Sequence, residues 1–151
     1  MKCTEFNIAA KDSANLFVRN CVSRSTDRCG RTLVIIHGTS EHGGRYLHAA
    51  EEAVARGWDV IIPDLRGHGR SDGIAVHIDR FEQYLQDLDT IWQYFELNPK
   101  RTAVLGHSFG GLVSVRFAQT RPSRLAALVP MSPLLGLRVK IDPLTYAIGR
   151  L

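Results

Sequence analysis

The sequence predicts an α/β fold built on a mostly parallel β-sheet. Short apolar runs of strand length alternate along the chain with longer segments of helical periodicity, an order of elements typical of parallel sheets. The chain has 151 residues, of which 44% are hydrophobic and 23% charged, so it can bury the core of one ordinary globular domain. It contains no internal repeat and no low-complexity segment that would suggest another architecture.

The chain opens with a predicted hairpin, a buried strand and a helix. Segments 5–9 and 16–22 are short and partly polar, which indicates an antiparallel hairpin at the start of the sheet. Thr32–Ile36 is a largely apolar run typical of a buried strand. A loop then leads to a predicted helix at 46–55, and Gly57 suits the left-handed backbone that commonly closes a helix.

The middle of the chain contains a strand, a glycine-rich loop and the clearest helix. Asp59–Pro63 is a predicted strand, and residues 64–73 are too rich in glycine for a helix or strand. Asp79 and Glu82 have the spacing of a capping box, which predicts a helix that begins at Asp79 and ends before Pro99. One face of this helix is apolar and aromatic, which favours packing in the core over a ligand-stacking surface; it comprises Phe81, Tyr84, Leu85, Leu88, Ile91, Trp92 and Phe95.

A glycine-flanked serine follows, between a predicted strand and a predicted helix. Residues 102–105 are a short apolar run, Ser108 stands between Gly106 and Gly110, and residues 112–118 can wind as a helix. A serine exposed on such a tight strand-to-helix turn needs neighbours with almost no side chain. The following helix points its free N–H groups at the site, where negative charge develops in acyl transfer. The pattern favours a nucleophilic serine over a bystander serine in a glycine-rich turn.

The C-terminal part contains one more predicted strand and an apolar tail. The strand is expected at 125–129, and Pro130 must end it or lie at a sheet edge, because proline cannot donate to a sheet ladder. Residues 133–151 are apolar without a recognisable domain end. We therefore expect a core at 1–132 and the start of a further segment, cut short, at 133–151.

Composition and charge argue against several classes of protein. The net charge is +4, and the basic residues are scattered rather than clustered, which argues against a nucleic-acid surface. The sequence shows no signal-peptide pattern and no run of about 18 apolar residues, so a cytoplasmic location is expected. Cys3, Cys21 and Cys29 lack zinc-type pairing and are expected to be reduced thiols.

Together with the glycine-flanked serine, two upstream segments resemble a known family. They are residues 37–46, with the sequence HGTSEHGGRY, and residues 64–71, with the sequence DLRGHGRS. In this order and spacing, the motifs make residues 5–132 resemble the α/β-hydrolase superfamily, and within it the monoacylglycerol lipase and lysophospholipase group. The resemblance implies the N-terminal half of a three-layer α/β-hydrolase sandwich, about the first six of eight strands, with the last strands and the cap missing.

The resemblance also implies roles for particular residues. Ser108 is the expected nucleophile, and the backbone N–H groups of Thr39 and Phe109 are the expected oxyanion hole. Phe109 is also expected to line the acyl pocket. Glu41 and Arg45 are expected either to organise the polar end of the substrate site or to form a structural ion pair under the oxyanion loop.

Part of the family's site is absent from these residues. In α/β-hydrolases the catalytic triad follows the order serine, acid, histidine. After Ser108 the sequence holds one aspartate, Asp142, with no glutamate and no histidine. Asp142 lies in the apolar tail where the family's cap would begin, so it is not assigned as the acid. Residues 1–151 alone are therefore expected to lack the acid and the general base.

The histidines are expected to support the site rather than to catalyse. The loop with Arg66, His68 and Ser71 is expected to hydrogen-bond to neighbouring loops and to buttress the serine turn. Among the other histidines, His37 and His107 are also expected not to catalyse, His42 is a candidate supporting residue, and His48 and His77 are expected at the surface.

Three functions are compatible with the sequence. The first is hydrolysis of small lipid esters, such as monoacylglycerols or lysophospholipids, through an acyl-enzyme at Ser108, with no metal or organic cofactor. The second is a non-catalytic fragment or a partner-dependent remnant, since an open sheet edge needs cover. The third is another acyl-transfer reaction: a peptidase, a carboxylesterase or an acyltransferase. Peripheral membrane contact through the cap and the oligomeric state are left open.

Overall fold

The structure, a computed structural model, describes residues 1–23 and 28–136. Within this part of the chain lie six strands: β1 (Lys2–Ala9), β2 (Asn15–Val22), β3 (Thr32–Ile36), β4 (Asp59–Pro63), β5 (Thr102–His107) and β6 (Ala127–Met131). The α-helices are α1 (Leu47–Ala55), α2 (Glu82–Tyr94) and α3 (Phe109–Thr120), and a one-turn 3-10 helix at Gly43–Tyr46 precedes α1.

The strands form a single sheet in the order β1-β2-β4-β3-β5-β6. Strand β2 pairs antiparallel with both β1 and β4, whereas β4, β3, β5 and β6 run parallel to one another. The predicted mostly parallel sheet and the predicted N-terminal hairpin are both confirmed. Because β3 and β5 are parallel neighbours, their carboxyl ends lie side by side, and the segments after Ile36 and His107 leave the sheet together.

Helices cover both faces of the sheet, which makes three layers. On one face, α2 and α3 pack against the larger apolar core, with Tyr84, Trp92 and Phe117 buried among strand residues. On the other face, α1 contributes Ala50 and Val54 to a second buried cluster. The aromatic face of α2 therefore belongs to the core, as its spacing predicted. An open sheet of this kind buries both of its faces under helices.

Helix α2 begins later than predicted, and Asp79 does not cap it. The helix starts at Glu82, and the Asp79 carboxylate lies instead 3.3 Å from the His77 ring. The bond back to the preceding turn comes from Gln83, whose side-chain oxygen accepts the Arg80 N–H over 3.0 Å. The N-cap position falls at Phe81, whose side chain makes no capping hydrogen bond, so the predicted capping box is absent and the helix starts three residues later than predicted.

Strand β6 runs two residues beyond the predicted range and includes Pro130. In the described part of the chain β6 pairs only with β5, where Pro130 lies opposite Gly106. Strand β6 continues past Pro130 to Met131, so Pro130 does not end the strand. Within the described residues no strand pairs with the other side of β6, a position where the missing N–H of proline is tolerated.

The expectation of three reduced thiols was wrong. Cys3 and Cys21 lie directly opposite each other in the antiparallel pairing of β1 with β2, and they form a disulfide. Cys29 is free and exposed. Spacing in the sequence does not reveal this pair, because only the register of the hairpin places the two side chains together.

Two further predictions concern residues that lie outside the described part of the chain. The predicted segment 133–151 lies mostly outside that part, as does Asp142, so neither is tested by the structure. Within residues 1–23 and 28–136, no helix combines the length and the apolar character needed to cross a bilayer.

Candidate active site

Ser108 alone forms the turn between β5 and α3. Strand β5 ends at His107 and helix α3 begins at Phe109, so a single residue reverses the chain direction. Ser108 has φ 50° and ψ −114°, a conformation that residues with a side chain rarely adopt. Holding a non-glycine residue in such a region costs on the order of 1–3 kcal/mol. The structure thus contains the strained strand-to-helix turn of a nucleophile elbow.

Glycines beside Ser108 are required because other backbone segments approach them closely. A Cβ on Gly106 would lie only 2.5 Å from the Gly110 carbonyl oxygen. A Cβ on Gly110 would lie 2.7 Å from the carbonyl carbon of Ile36. The first turn of α3 is therefore packed directly against the ends of β5, at Gly106, and of β3, at Gly110, and a larger residue at either position would prevent one of these contacts.

Backbone hydrogen bonds hold the elbow from the side of β6. The Ser108 N–H donates to the Met131 carbonyl over 2.9 Å, and the Ser108 carbonyl accepts the Leu134 N–H over 2.9 Å. Both polar backbone groups of Ser108 are thereby fixed by residues outside the elbow. Such bonds contribute about 0.5–1.5 kcal/mol each and help to offset the cost of the strained backbone.

The backbone groups predicted for the oxyanion hole start from adjoining elements. Phe109 is the first residue of α3, where the N–H has no acceptor within the helix and the positive end of the helix dipole lies. Thr39 follows Gly38, and a Cβ on Gly38 would lie 3.3 Å from the Ser108 Cβ. The structure therefore places the segments of Ser108, Thr39 and Phe109 together. Their action as nucleophile and oxyanion hole stays a prediction.

The Phe109 ring anchors the start of α3 to α2. It packs edge to face against Tyr84, with ring centroids 5.4 Å apart, and against Phe81 at 6.2 Å. Edge-to-face pairs of this kind are worth about 0.5–1.5 kcal/mol beyond the area they bury. The predicted contact of Phe109 with an acyl chain is not tested by this packing.

Glu41 links the end of β3 to the elbow through one oxygen atom. Its Oε1 accepts the Gly38 N–H at 2.6 Å and the Tyr46 hydroxyl at 2.7 Å, and lies 3.2 Å from His107 Nδ1. Its other oxygen, Oε2, lies 3.3 Å from Nε of Arg45. The structural ion pair that was one of the two expectations for Glu41 and Arg45 is present, and their contact with substrate stays a prediction.

The charges around Glu41 settle the direction of its hydrogen bonds. Burial favours the neutral carboxyl, but the hydrogen bonds from Tyr46 and Gly38 outweigh it, and the pKa of Glu41 lies below its ordinary value. Burial, together with the neighbouring carboxylate, raises the pKa of the Tyr46 hydroxyl. Tyr46 therefore stays protonated, and its O–H group donates a hydrogen bond to Glu41. The Tyr46 oxygen in turn accepts a hydrogen bond from the Nδ1–H of His107, 2.8 Å away.

His37 is a fully buried structural residue at the end of β3. Its Nδ1–H donates to the Gly38 carbonyl at 2.6 Å, and its Nε2 accepts the Leu65 N–H at 2.8 Å. Burial lowers the pKa of His37 below its ordinary value, so the ring is neutral. Both ring nitrogens are bonded to backbone groups, which agrees with the expected non-catalytic role.

The glycine-rich loop binds neighbouring segments through Arg66. The Arg66 guanidinium makes two hydrogen bonds to the buried carboxylate of Asp87 in α2, at 2.6 and 2.9 Å. It also donates to Asp12 in the turn between β1 and β2, at 2.8 Å. One side chain therefore ties the loop, α2 and the hairpin together.

Asp64 and Ser71 fix the two ends of the same loop. Asp64 Oδ1 accepts the Gly43 N–H at 2.8 Å and lies 3.0 Å from the Arg19 guanidinium. The Ser71 hydroxyl donates to the Asp64 carbonyl at 2.6 Å and accepts the Phe17 N–H at 2.9 Å. The predicted hydrogen bonding to neighbouring segments is confirmed, and the bond from Leu65 to His37 carries this support to the end of β3.

His42, His48 and His77 lie at the surface, whereas His68 in the glycine-rich loop is buried. His48 and His77 are exposed, as expected. His42 is exposed as well, and its Cβ lies 2.9 Å from the position that a Cβ on Gly69 would take. His42 therefore packs on the glycine-rich loop, and a supporting role in the reaction stays a prediction.

Comparison with known proteins identifies the family. Residues 28–151 match the sequence model of a family described as serine aminopeptidase, S33, which covers most of the chain. The chain belongs to this family of α/β-hydrolases. The predicted resemblance to the superfamily is thus confirmed.

Curated relatives of this α/β-hydrolase include lipid-cleaving enzymes by name. It is 35% identical to phospholipase YtpA of Bacillus subtilis over 77% of this chain and 45% of that protein. It is 33% identical to the monoacylglycerol lipase of Mycolicibacterium smegmatis over 78% of this chain and 43% of the relative. The chain therefore spans less than half the length of these curated relatives.

A solved structure supports the same family assignment. The monoacylglycerol lipase of Paleococcus ferrophilus is 30% identical, with a TM-score of 0.75, over 89% of this chain and 49% of that one. The similarity therefore extends over 89% of this chain. The predicted α/β-hydrolase sandwich is confirmed.

Tyr46 and Asp87 are site-supporting residues that the sequence did not single out for these contacts. Tyr46 ends the first motif of the hydrolase, yet its hydroxyl meets His107, 61 positions later. Asp87 is buried beside Arg66 in the structure, but in the sequence it is one of several acidic residues of α2 and carries no distinguishing pattern. Contacts between residues so distant in sequence follow from the sheet topology rather than from any local pattern.

A large cavity lies away from Ser108. It has a volume of about 810 Å³ and is lined by Asn98, Pro99, Lys100, Ser123, Leu125 and Ala126. These residues precede β5 and β6, so the cavity opens at the amino ends of the strands, whereas Ser108 follows the carboxyl end of β5. In open α/β sheets, ligands bind at the carboxyl ends, which argues against this cavity as the substrate site.

Proposed function

We propose that the protein containing these residues hydrolyses carboxylic esters of lipids, with Ser108 as the nucleophile. The observation that supports this most directly is the backbone of Ser108, which is strained at φ 50° between β5 and α3. Strain of this kind persists when it exposes a reactive side chain, and the α/β-hydrolase elbow is such a case. Family membership makes acyl transfer the reaction class to test first.

In the proposed reaction, Ser108 Oγ attacks the ester carbonyl carbon and the carbonyl oxygen becomes an oxyanion. The backbone N–H groups of Thr39 and Phe109 would stabilise that charge, and loss of one such donor typically costs about 3 kcal/mol. Collapse of the intermediate breaks the bond to the alcohol, which leaves with a proton, and an acyl-enzyme remains. Water then attacks the acyl group and releases the acid and free Ser108.

The reaction also needs a general base to accept the Ser108 proton. Neutral His37 cannot serve, because both of its ring nitrogens are bonded to the backbone. No histidine lies between Ser108 and Leu151. A base in the family's order of serine, acid, histidine would therefore come from sequence outside these 151 residues.

Lipid esters are the proposed substrates because of the relatives. Both curated relatives and the solved structure with 30% identity carry names of enzymes that cleave phospholipids or monoacylglycerols. Glu41 and Arg45 are proposed to organise the polar end of such a substrate. Arg45 is available for this contact because 68% of its side chain is exposed despite its pairing with Glu41.

Peptide hydrolysis is the second candidate because the family model is described as a serine aminopeptidase. The elbow does not discriminate between esters and amides, since both pass through the same acyl-enzyme. The two candidates differ in the substrate that acylates Ser108. They are separated by assaying a monoacylglycerol, a lysophospholipid and an aminoacyl amide side by side.

The experiment uses the natural protein that contains residues 1–151, treated with a fluorophosphonate probe. We expect covalent labelling at Ser108, located by mass spectrometry of the labelled peptide, together with turnover of the lipid esters. Ser108→Ala should abolish labelling and reduce turnover by several orders of magnitude, because triad knockouts retain only the help of binding and the oxyanion hole. The matched control is Ser123→Ala, which removes an exposed serine hydroxyl.

The outcomes separate the candidates. A folded natural protein that is not labelled at Ser108 would overturn the proposed function and favour a non-catalytic role. Labelling accompanied by turnover of the amide alone would favour a peptidase. Labelling lost equally in Ser108→Ala and Ser123→Ala would show a general defect rather than the loss of a nucleophile.

A further inference from the structure

We propose that Glu41, Tyr46 and His107 form a positioning cluster that fixes the Gly38–Thr39 segment against the nucleophile elbow. None of the three needs to touch substrate for this role. The inference rests on the proposed function, since the segment in question is the proposed oxyanion loop. It adds three positioning residues to the nucleophile and the two backbone donors.

The cluster joins three separate elements at one atom. Glu41 Oε1 lies 2.6 Å from the Gly38 N–H donor at the end of β3, and 2.7 Å from the Tyr46 hydroxyl in the 3-10 helix. The same oxygen lies 3.2 Å from Nδ1 of His107, the last residue of β5. A shift of any one element would stretch a hydrogen bond to a charged acceptor, and such bonds are about twice as strong as neutral ones.

Gly38 occupies the centre of this arrangement. A Cβ added there would lie 2.8 Å from Glu41 Oε1, 3.3 Å from the Ser108 Cβ and 3.4 Å from His107 Nδ1. The Gly38 backbone is thus enclosed by the carboxylate, the nucleophile and the imidazole. Because Thr39 follows directly, the cluster determines where the Thr39 N–H can lie relative to Ser108.

The proton arrangement makes each member necessary. The single O–H of Tyr46 donates a hydrogen bond to Glu41, and the Tyr46 oxygen accepts one from the Nδ1–H of His107, so Tyr46 connects the other two residues. Its removal leaves His107 with only the longer contact to Glu41. Glu41 is 12% exposed at its side chain, and this partial burial keeps the bonds to its carboxylate only weakly screened by solvent.

The test uses the natural protein that contains these residues and two variants that keep side-chain shape. Tyr46→Phe removes one hydroxyl, and Glu41→Gln removes the charge. We expect each to lower kcat for ester hydrolysis by about tenfold to a hundredfold with KM changed less than about twofold, because a donor misplaced by a fraction of an ångström acts on the transition state. The double variant should lose little more than either single variant.

Matched controls are available in the same chain. Tyr94→Phe removes the hydroxyl of a tyrosine that is 52% exposed in α2, and Glu52→Gln removes the charge of an exposed carboxylate that pairs with Arg56 four residues later. Both should leave kcat and KM unchanged. Glu52 pairs with Arg56 at the same four-residue spacing as Glu41 with Arg45. The Glu52→Gln variant therefore shows whether loss of such an ion pair alone changes kcat or KM.

A second measurement does not depend on activity. In backbone amide NMR spectra of the natural protein, Tyr46→Phe and Glu41→Gln should shift the Thr39 and Phe109 signals, whereas Tyr94→Phe should not. Wild-type protein without ester turnover or Ser108 labelling would overturn the proposed function, and these shifts would still test the cluster. Active wild-type protein with Tyr46→Phe equal to Tyr94→Phe in kcat, or unmoved Thr39 signals, would overturn the cluster itself.

Discussion

Contacts with neighbouring residues stabilise the strained backbone conformation of Ser108. Its positive φ is enforced by the packing of Gly110 on the end of β3 and by backbone hydrogen bonds to Met131 and Leu134. These contacts come from three different parts of the chain. The strain therefore depends on tertiary structure, although the glycine spacing that permits it is visible in the sequence.

Buried His37, at the end of β3, makes the free energy of unfolding depend on pH. Burial lowers the pKa of this residue below its ordinary value of 6.5, so the unfolded chain takes up a proton on this ring before the folded protein does. Between the two pKa values the unfolded state binds more protons, and acidification favours unfolding. The contribution is complete above pH 6.5 and is lost as the pH falls below it.

We expect the free energy of unfolding of the natural protein to fall as the pH drops below 6.5, by up to about 1.4 kcal/mol per pH unit from His37. Urea unfolding at a series of pH values measures it. His37→Gln should flatten this slope, because its amide oxygen can still accept the Leu65 N–H but does not titrate. His48→Gln, at an exposed position, should keep the wild-type slope; equal slopes in all three proteins would refute the assignment.

The residues of the candidate site differ in how far the sequence predicts them. Ser108 lies in a local pattern, and Glu41 with Arg45 has the four-residue spacing of an ion pair. The bonds from Glu41 to Gly38 and His107 were not predictable in this way. They exist because parallel pairing of β3 with β5 brings two distant segments to one end of the sheet.

At the scale of elements, the glycine-rich loop acts through Arg66 as a brace between α2 and the β1-β2 turn. The Arg66 and Asp87 side chains are only 11% and 5% exposed. Removal of one partner from a buried pair leaves an uncompensated charge, which typically costs about 3–5 kcal/mol. The Arg56 and Glu52 side chains, by contrast, are 67% and 73% exposed, and pairs of that kind contribute about 0–1 kcal/mol.

We therefore expect Arg66→Ala to lower the free energy of unfolding by about 3–5 kcal/mol, because buried Asp87 loses its cation. Arg56→Ala should cost at most about 1 kcal/mol. Chemical denaturation of the natural protein measures both variants. Replacement of both partners, as in Arg66→Met with Asp87→Leu, should recover part of the loss. Equal costs for Arg66→Ala and Arg56→Ala would contradict the bracing role.

The order of elements follows from the sequence, but some of their limits do not. Apolar runs and helical periodicity predict every strand and α-helix of the described part, because these patterns are local, whereas the 3-10 helix at Gly43–Tyr46 lies in a segment predicted mostly as a loop. The start of α2 was misplaced because Asp79 contacts His77 instead of capping the helix, and the N-cap position at Phe81 has no side-chain hydrogen bond. The pairing of Cys3 with Cys21 was missed because hairpin register cannot be read from spacing.

At the scale of the molecule, the candidate elbow and exposed apolar side chains lie at the same side of the described sheet. The elbow lies on β5, and its neighbour β6 holds Ser108 through Met131. In the described part of the chain β6 has β5 as its only partner. The side chains of Val129 and Met131 point to the same face of β6 and are 48% and 45% exposed. A strand edge with exposed apolar residues is prone to associate with other chains.

We expect residues 1–151, produced as a separate chain, to bind the dye ANS and to self-associate as concentration rises, because within residues 1–23 and 28–136 no second strand pairs with β6 beside its apolar side chains. ANS fluorescence and size-exclusion chromatography measure the two properties. Val129→Thr combined with Met131→Thr should reduce dye binding. Ile74→Thr should not, because Ile74 is 72% exposed but follows the glycine-rich loop and is not part of β6. A monomer that binds no dye at any concentration would show that this face of β6 is covered within the chain itself.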